Sequence, residues 1–125
     1  MRVREIYRPH VTKIVDSASR AVKVSGQFKR LLQKNFLEFR KVDDYAGMMH
    51  ISPKHLTDLV KEATGKTPKQ LINDVLLLEA KVMLGSTDRS ITDIAHTLKF
   101  QDQSHFSHFV RKQEGCSPLE LRKKL

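Results

Sequence analysis

The chain states one pattern twice. Val60-Lys61-Glu62-Ala63-Thr64-Gly65-Lys66-Thr67-Pro68 stands beside Val110-Arg111-Lys112-Gln113-Glu114-Gly115-Cys116-Ser117-Pro118, with valine, base, glycine, hydroxyl and proline recurring after 50 positions (60 to 110, 65 to 115, 68 to 118). The register continues upstream through Ser52/Asp102, His55/His105, Leu56/Phe106, Thr57/Ser107 and Leu59/Phe109. A repeat of this length predicts two similar folded units on one chain.

Each copy reads as a short helix, a turn and a longer helix. In the first, a short helix from about Asp43 or Asp44 to Met49 turns Tyr45, Ala46 and Met49 inward, and Ile51 anchors the turn. Ser52-Pro53 is a start signal, a hydroxyl N-cap followed by proline at the first helical position. Leu56, Leu59, Val60 and Ala63 then fall at i, i+3, i+4 and i+7, and Gly65 is expected to end the helix in the left-handed region. In the second, Ser90-Ile91-Thr92-Asp93 opens a short helix carrying Ile91, Ile94, Ala95 and Leu98. Lys99-Phe100-Gln101 is the turn, and Asp102 caps a helix with Phe106, Phe109 and Val110 inside and Gly115 at its end. The second turn is one residue longer: Ala46 to Ser52 is six steps, Ala95 to Asp102 seven.

Thr67-Pro68-Lys69-Gln70 and Ser117-Pro118-Leu119-Glu120 are capping boxes with proline at the first helical position. The first opens the longest predicted helix, about 68–84, a rod between the two units. On it Leu71, Val75, Leu78 and Val82 form the expected inner stripe, flanked by Ile72, Leu76 and Met83. The second opens a terminal helix through Leu125. Upstream of the repeat, Ser25 reads as the cap of a helix running to about Arg40, with Phe28, Leu32, Phe36 and Phe39 on one face and Leu31 beside them. Further upstream, Tyr7, Val11, Ile14, Ala18 and Ala21 alternate spacings of four and three, a heptad-like stripe that either packs on the main body or serves a partner chain or a missing upstream domain. The organisation expected is an amphipathic or dimerising segment, 1–24, and an all-α domain, 25–125. Within that domain two helix-turn-helix units, about 43–65 and about 90–115, flank the linker helix.

Charge narrows the partner. Lys and Arg number 23 against 14 Asp and Glu, a formal net charge of +9. A chain this basic and compact is expected beside a polyanion. No apolar run approaches the ~20 residues that span a bilayer, so no membrane partner is expected. The single cysteine, Cys116, has no second thiol to pair with in the chain, which fits a reducing cytosol. His105 and His108 at i, i+3, with His55, Asp102 or Cys116, are the residues a metal would use. Without H-E-x-x-H, C-x-x-C or a second thiol, however, no metal, cofactor or catalytic centre is expected.

A helix-turn-helix crosses two helices near a right angle, so that the second protrudes far enough to enter a major groove. Small Ala46 and Ala95 allow the close approach, and Ile51 and Phe100 pin the angle. From about Ser25 to Leu125 the chain resembles the DNA-binding domain of the AraC/XylS family of bacterial transcription regulators. The residues that carry the resemblance are Ile51-Ser52-Pro53-Lys54-His55-Leu56, Lys61 to Pro68, Ser90 to Ala95, Phe100 to Ser107, and Gly115 to Arg122. It implies two helix-turn-helix subdomains joined by a linker helix, with both recognition helices in successive major grooves on one face of DNA. The chain departs from the family pattern at Lys99, where glycine is usual before the turn phenylalanine, and at Val110, where an aromatic is usual. If position 99 needs a positive φ, lysine there costs roughly 1 kcal/mol relative to glycine.

Base readers are expected on the outward faces. Lys54, Thr57 and Asp58 lie at i, i+3 and i+4 in the first recognition helix and match positions the family uses for bases. Lys54 can donate to guanine, Thr57 can meet a base edge or a thymine methyl, and Asp58 can accept from cytosine N4, or instead pair with Lys54 on the surface. Ser104, His105 and His108 match in the second helix. Phosphate contacts are expected from the helix starts at Ser52, Asp102 and Thr67. His55, Lys61, Lys66, Lys69, Lys99, Gln103, Ser107, Arg111 and Lys112 complete that set.

The function expected is sequence-specific binding of double-stranded DNA for transcription regulation. A dimeric helical adaptor and a nonspecific architectural DNA-binding protein are the alternatives. Further partners expected are RNA polymerase, by family resemblance, and a second copy, through residues 1–24 or a missing upstream domain. The location expected is the bacterial cytoplasm, at the nucleoid. The chain is expected to be the C-terminal piece of a longer regulator, a small stand-alone regulator being the alternative.

Overall fold

The computed structural model describes residues 9–125, with side chains from residue 16 onward. Tyr7 lies outside the described residues, as do the side chains of Val11 and Ile14. Among the described residues the chain is all-helical: α1 (Pro9–Asn35), α2 (Val42–Met48), α3 (Pro53–Thr64), α4 (Pro68–Ser86), α5 (Ile91–Thr97), α6 (Gln103–Glu114) and α7 (Pro118–Lys124). They gather into two compact units. One takes the chain through Lys34 and then Lys41–Leu71; the other takes Asn35–Arg40 and Ile72–Leu125.

The first unit closes on α1, α2 and α3. Phe28 from α1 meets Tyr45 from α2 edge to face, with ring centroids 5.3 Å apart, an arrangement aromatic pairs favour. Leu32, Ala46, Leu56, Leu59 and Val60 are buried with them. The helix start expected at Ser25 is not formed. Ser25 sits inside α1, 3% exposed, on the buried stripe Ala21, Ser25, Phe28 and Leu32. A small side chain there lets the helix pack, and burial of that stripe overrides the capping tendency of serine and the cost of Gly26 beside it. Of the expected upstream stripe, Ala21 is buried and Ala18 exposed. The helix also stops at Asn35 rather than near Arg40, and the amides of Glu38 and Phe39 turn back onto its carbonyl. Phe39 is therefore 40% exposed. Ala63, expected inside, is exposed on the last turn of α3, and Met49 is half-buried.

The second unit buries Leu76, Ala80, Met83 and Leu84 of α4 against Ile94, Ala95 and Leu98 of α5, Phe106 and Val110 of α6, Cys116, and Leu121 of α7. Phe36, Leu37, Ile91, Phe100 and Phe109 pack around this core. The stripe expected on α4 is displaced by one position. Ile72, Leu76, Ala80 and Met83 face inward, whereas Leu78 and Val82 are 64% and 49% exposed. This helix is apolar almost all round, so spacing alone cannot choose between neighbouring faces. Arg122 ties α7 to the end of α4: its Nε donates to the Leu84 carbonyl at 2.9 Å and Nη2 to the Arg89 carbonyl at 2.7 Å.

Candidate nucleic-acid interface

Both turns are built by the same hydrogen bonds. The Ile51 amide reaches back to the Ala46 carbonyl at 3.1 Å, and the Phe100 amide to the Ala95 carbonyl at 3.0 Å. Just before them His50 and Lys99 take positive φ, 57° and 60°, so the left-handed residue expected at Lys99 is present and has a counterpart. Up to the anchor the two copies are offset by 49 (46 to 95, 51 to 100), and from the N-caps onward by 50 (52 to 102). The additional residue of the second copy is thus Gln101. Phe100 fixes its turn by packing on Phe106 and Phe109, centroids 5.1 and 5.4 Å away. The Arg40 guanidinium lies 4.8 Å from the Phe100 ring centroid. Lys99 forms an exposed ion pair with Glu38.

The helices that follow are capped alike. The Ser52 hydroxyl accepts from the His55 amide at 3.0 Å, and an Asp102 carboxylate oxygen from the His105 amide at 2.9 Å. Each helix ends on a glycine in the left-handed region, Gly65 at φ 77° and Gly115 at φ 78°. Both expected capping boxes form. Thr67 and Gln70 exchange bonds of 2.8 and 3.2 Å, and Ser117 and Glu120 exchange bonds of 3.2 and 3.1 Å. Hydrogen bonding from Ser117 holds the Glu120 carboxyl below its ordinary value.

Burial separates two faces on each helix. In α3 Leu56, Leu59 and Val60 are inside, while Lys54, Asp58 and Lys61 are exposed and Thr57 and His55 half-buried. The Lys54 ammonium meets the Asp58 carboxylate at 3.0 Å, the surface pairing weighed for Asp58. His55 has a partner the sequence reading missed: Arg20 of α1, whose Nη2 lies 3.3 Å from the His55 Nε2. The signal was faint, because Arg20 is 35 residues away in a segment outside the repeat. Ser52 is exposed, Thr67 half-buried and engaged in its box, and Lys66 and Lys69 exposed on the turn into α4.

In α6 Phe106 and Val110 are inside. Ser104, His105 and His108 come together around one shallow depression of about 250 Å³. Arg111 and Lys112 are exposed farther along the helix, and Ser107 is half-buried. The Gln103 Oε1 accepts from the Thr92 hydroxyl at 2.6 Å, tying α6 to α5. The Asp102 carboxylate, besides capping α6, meets the His105 Nδ1 at 2.8 Å. That hydrogen bond is the main reason its carboxyl lies below the usual carboxylate range, with the His105 amide adding to it. Among the described residues no three of His, Cys, Asp and Glu converge to hold a metal ion, and no helix is long and apolar enough to cross a membrane.

Two capped helices, each set up by the same left-handed turn and each turning polar side chains outward, define a double helix-turn-helix module. A helix-turn-helix domain profile matches residues 45–124. The chain is 34% identical over 97 residues to the transcriptional activator RhaS of Enterobacter sp. (strain 638), covering 78% of this chain and 35% of that protein. The C-terminal domain of AraT, a response regulator from Geobacillus stearothermophilus, superposes with a TM-score of 0.74 at 24% identity, over 82% of this chain and 85% of that one. The DNA-binding domain of AdpA, solved in complex with a target DNA, gives 0.70 at 21% identity, over 80% and 90%. The chain belongs to the AraC/XylS family of transcription regulators. The chain spans about a third of the length of the curated relatives it matches.

Proposed function

We propose that the chain reads its operator with α3 and α6, each lying in a major groove, the two grooves being successive on one face of the duplex. The observation that carries this reading is the match between the copies: the same turn, cap and glycine stop flank each helix, and each helix opposes its buried stripe with an exposed polar one. Lys54, Thr57 and Asp58 are the proposed base readers of α3, and Ser104, His105 and His108 those of α6. The shared depression around the last three supports their acting together. Asp58 holds the Lys54 ammonium at 3.0 Å across one helical turn, so Lys54 should favour sites that also offer Asp58 a cytosine amine. Phosphates are assigned to Ser52, His55, Lys61, Lys66, Thr67 and Lys69 on one unit. On the other they are assigned to Lys99, Asp102, Gln103, Ser107, Arg111 and Lys112, with Asp102 acting through the amides of the helix start it caps.

Contact with RNA polymerase, pairing of two copies through residues 1–24 or an upstream domain, and work in the cytoplasm at the nucleoid belong to the same proposal. Selecting binding sites from random duplexes tests it. Lys54→Ala, Ser104→Ala and His108→Ala should each relax preference at a different base position, by about 1–3 kcal/mol of discrimination. Uniform loss of affinity with preference intact would remove these three from base reading. Equal affinity for every duplex would make the chain an architectural binder.

A further inference from the structure

His55 and His105 occupy the same position in the two copies, yet they meet partners of opposite charge. The His55 Nε2 faces the Arg20 guanidinium, which can only donate, so that nitrogen must carry a lone pair. The His105 Nδ1 faces the Asp102 carboxylate at 2.8 Å. That carboxyl lies below the usual range and is therefore ionised and acceptor-only near neutral pH, so Nδ1 must carry the hydrogen. The same Asp102 oxygen accepts from the His105 amide, which anchors the carboxylate to the backbone and the ring to the carboxylate. Only Nε2 of His105 remains for a ligand, on a side chain 56% exposed at the rim shared with Ser104 and His108.

With Nδ1–H committed, the protonation state of the ring decides what Nε2 can bind. The neutral ring offers a lone pair, which suits only the amines of adenine and cytosine. The imidazolium offers N–H, which suits phosphate oxygens and the acceptor edges of guanine. A duplex presents acceptors along its whole backbone, and its negative charge favours a positive ring. The charged and titratable side chains of α6 and its cap are, besides His105, Asp102, His108, Arg111, Lys112 and Glu114. The elements packed on the helix add Asp93 and His96 from α5, Glu120, Arg122, Lys123 and Lys124 from α7, and Lys81 from α4, which pairs with Glu114; the turn before it adds Lys99.

We propose that Asp102 is a positioning residue that presents His105 to the duplex as an imidazolium, so that binding through α6 takes up a proton. The inference rests on the DNA-binding reading above. It gives Asp102 a role besides capping, one that Arg20 beside His55 does not fill in the first recognition helix.

The test measures affinity of the full chain for a selected duplex between pH 8 and pH 6 at fixed salt. Failure to bind any duplex would overturn the DNA-binding reading itself. Binding without pH dependence, or weakening as pH falls, would overturn only this inference, the second result marking a neutral ring that accepts from a base amine. The expected result is tighter binding as pH falls, by up to about tenfold per pH unit for one proton. His105→Gln should flatten the rise, whereas His108→Gln and His55→Gln should keep it whatever they do to affinity. Asp102→Asn preserves an N-cap of equal quality, so the helix should form, and the rise should move to lower pH. A rise unmoved in Asp102→Asn, or persisting in His105→Gln, sinks the assignment.

Discussion

His50 and Lys99 adopt left-handed backbone conformations at φ 57° and 60°, a region that costs side-chain-bearing residues roughly 1 kcal/mol relative to glycine. Replacing His50 by Gly should therefore stabilise the chain by about 1 kcal/mol and raise its melting temperature by roughly 4 °C. Calorimetry showing a drop would mean that the imidazole contributes packing worth more than the backbone strain. Lys99→Gly should gain less, because it gives up an exposed ion pair with Glu38, worth at most about 1 kcal/mol. Only one of these two residues was legible in the sequence. Lys99 stood out because glycine is usual there. His50 was hidden by the register: at an offset of 50, Lys99 falls opposite Met49, and only the turn bonds to Ala46 and Ala95 reveal that the short helices are offset by 49.

Helix ends were the most readable part of the sequence. Ser52, Ser90, Asp102 and Ser117 all cap as their side chains predict, and Gly65 and Gly115 stop α3 and α6. These are local decisions, made by one side chain and the amide three residues on, so local sequence suffices. Helix faces were less readable where apolar residues crowd. Ser25 was read as a boundary because nothing local reports that Ala21, Phe28 and Leu32 would bury the same stripe. In α4, Leu76 and Leu78 are identical in type and two positions apart, and tertiary packing alone decides that Leu76 goes in and Leu78 stays out. Leu76→Ala should cost about 2–5 kcal/mol, and Leu78→Ala no more than about 0.5 kcal/mol, read as shifts in a denaturant midpoint at constant m. The reverse ordering would restore the stripe first expected from the spacing.

For the molecule as a whole, the candidate site was readable as far as outward spacing goes, since Lys54, Asp58, Ser104, His105 and His108 are all exposed. What spacing could not supply was the second set of partners, Arg20 on His55 and Thr92 on Gln103. These come from elements distant in sequence and depend on how each unit closes. The formal charge of +9 makes an ionic contribution to binding unavoidable. With about six phosphates neutralised, affinity should fall ~10³-fold between 50 and 200 mM salt, and a shallow dependence in a titration would shrink the phosphate set assigned here. Gln101 carries a last implication. A reader whose halves were interchangeable could sit on its target facing either way. One added residue in the second turn, with the proposed readers Lys54, Thr57 and Asp58 on one helix answered by Ser104, His105 and His108 on the other, removes that ambivalence. The recognised sequence must accordingly have a heading, so that inverting it at a promoter erases it as surely as scrambling it.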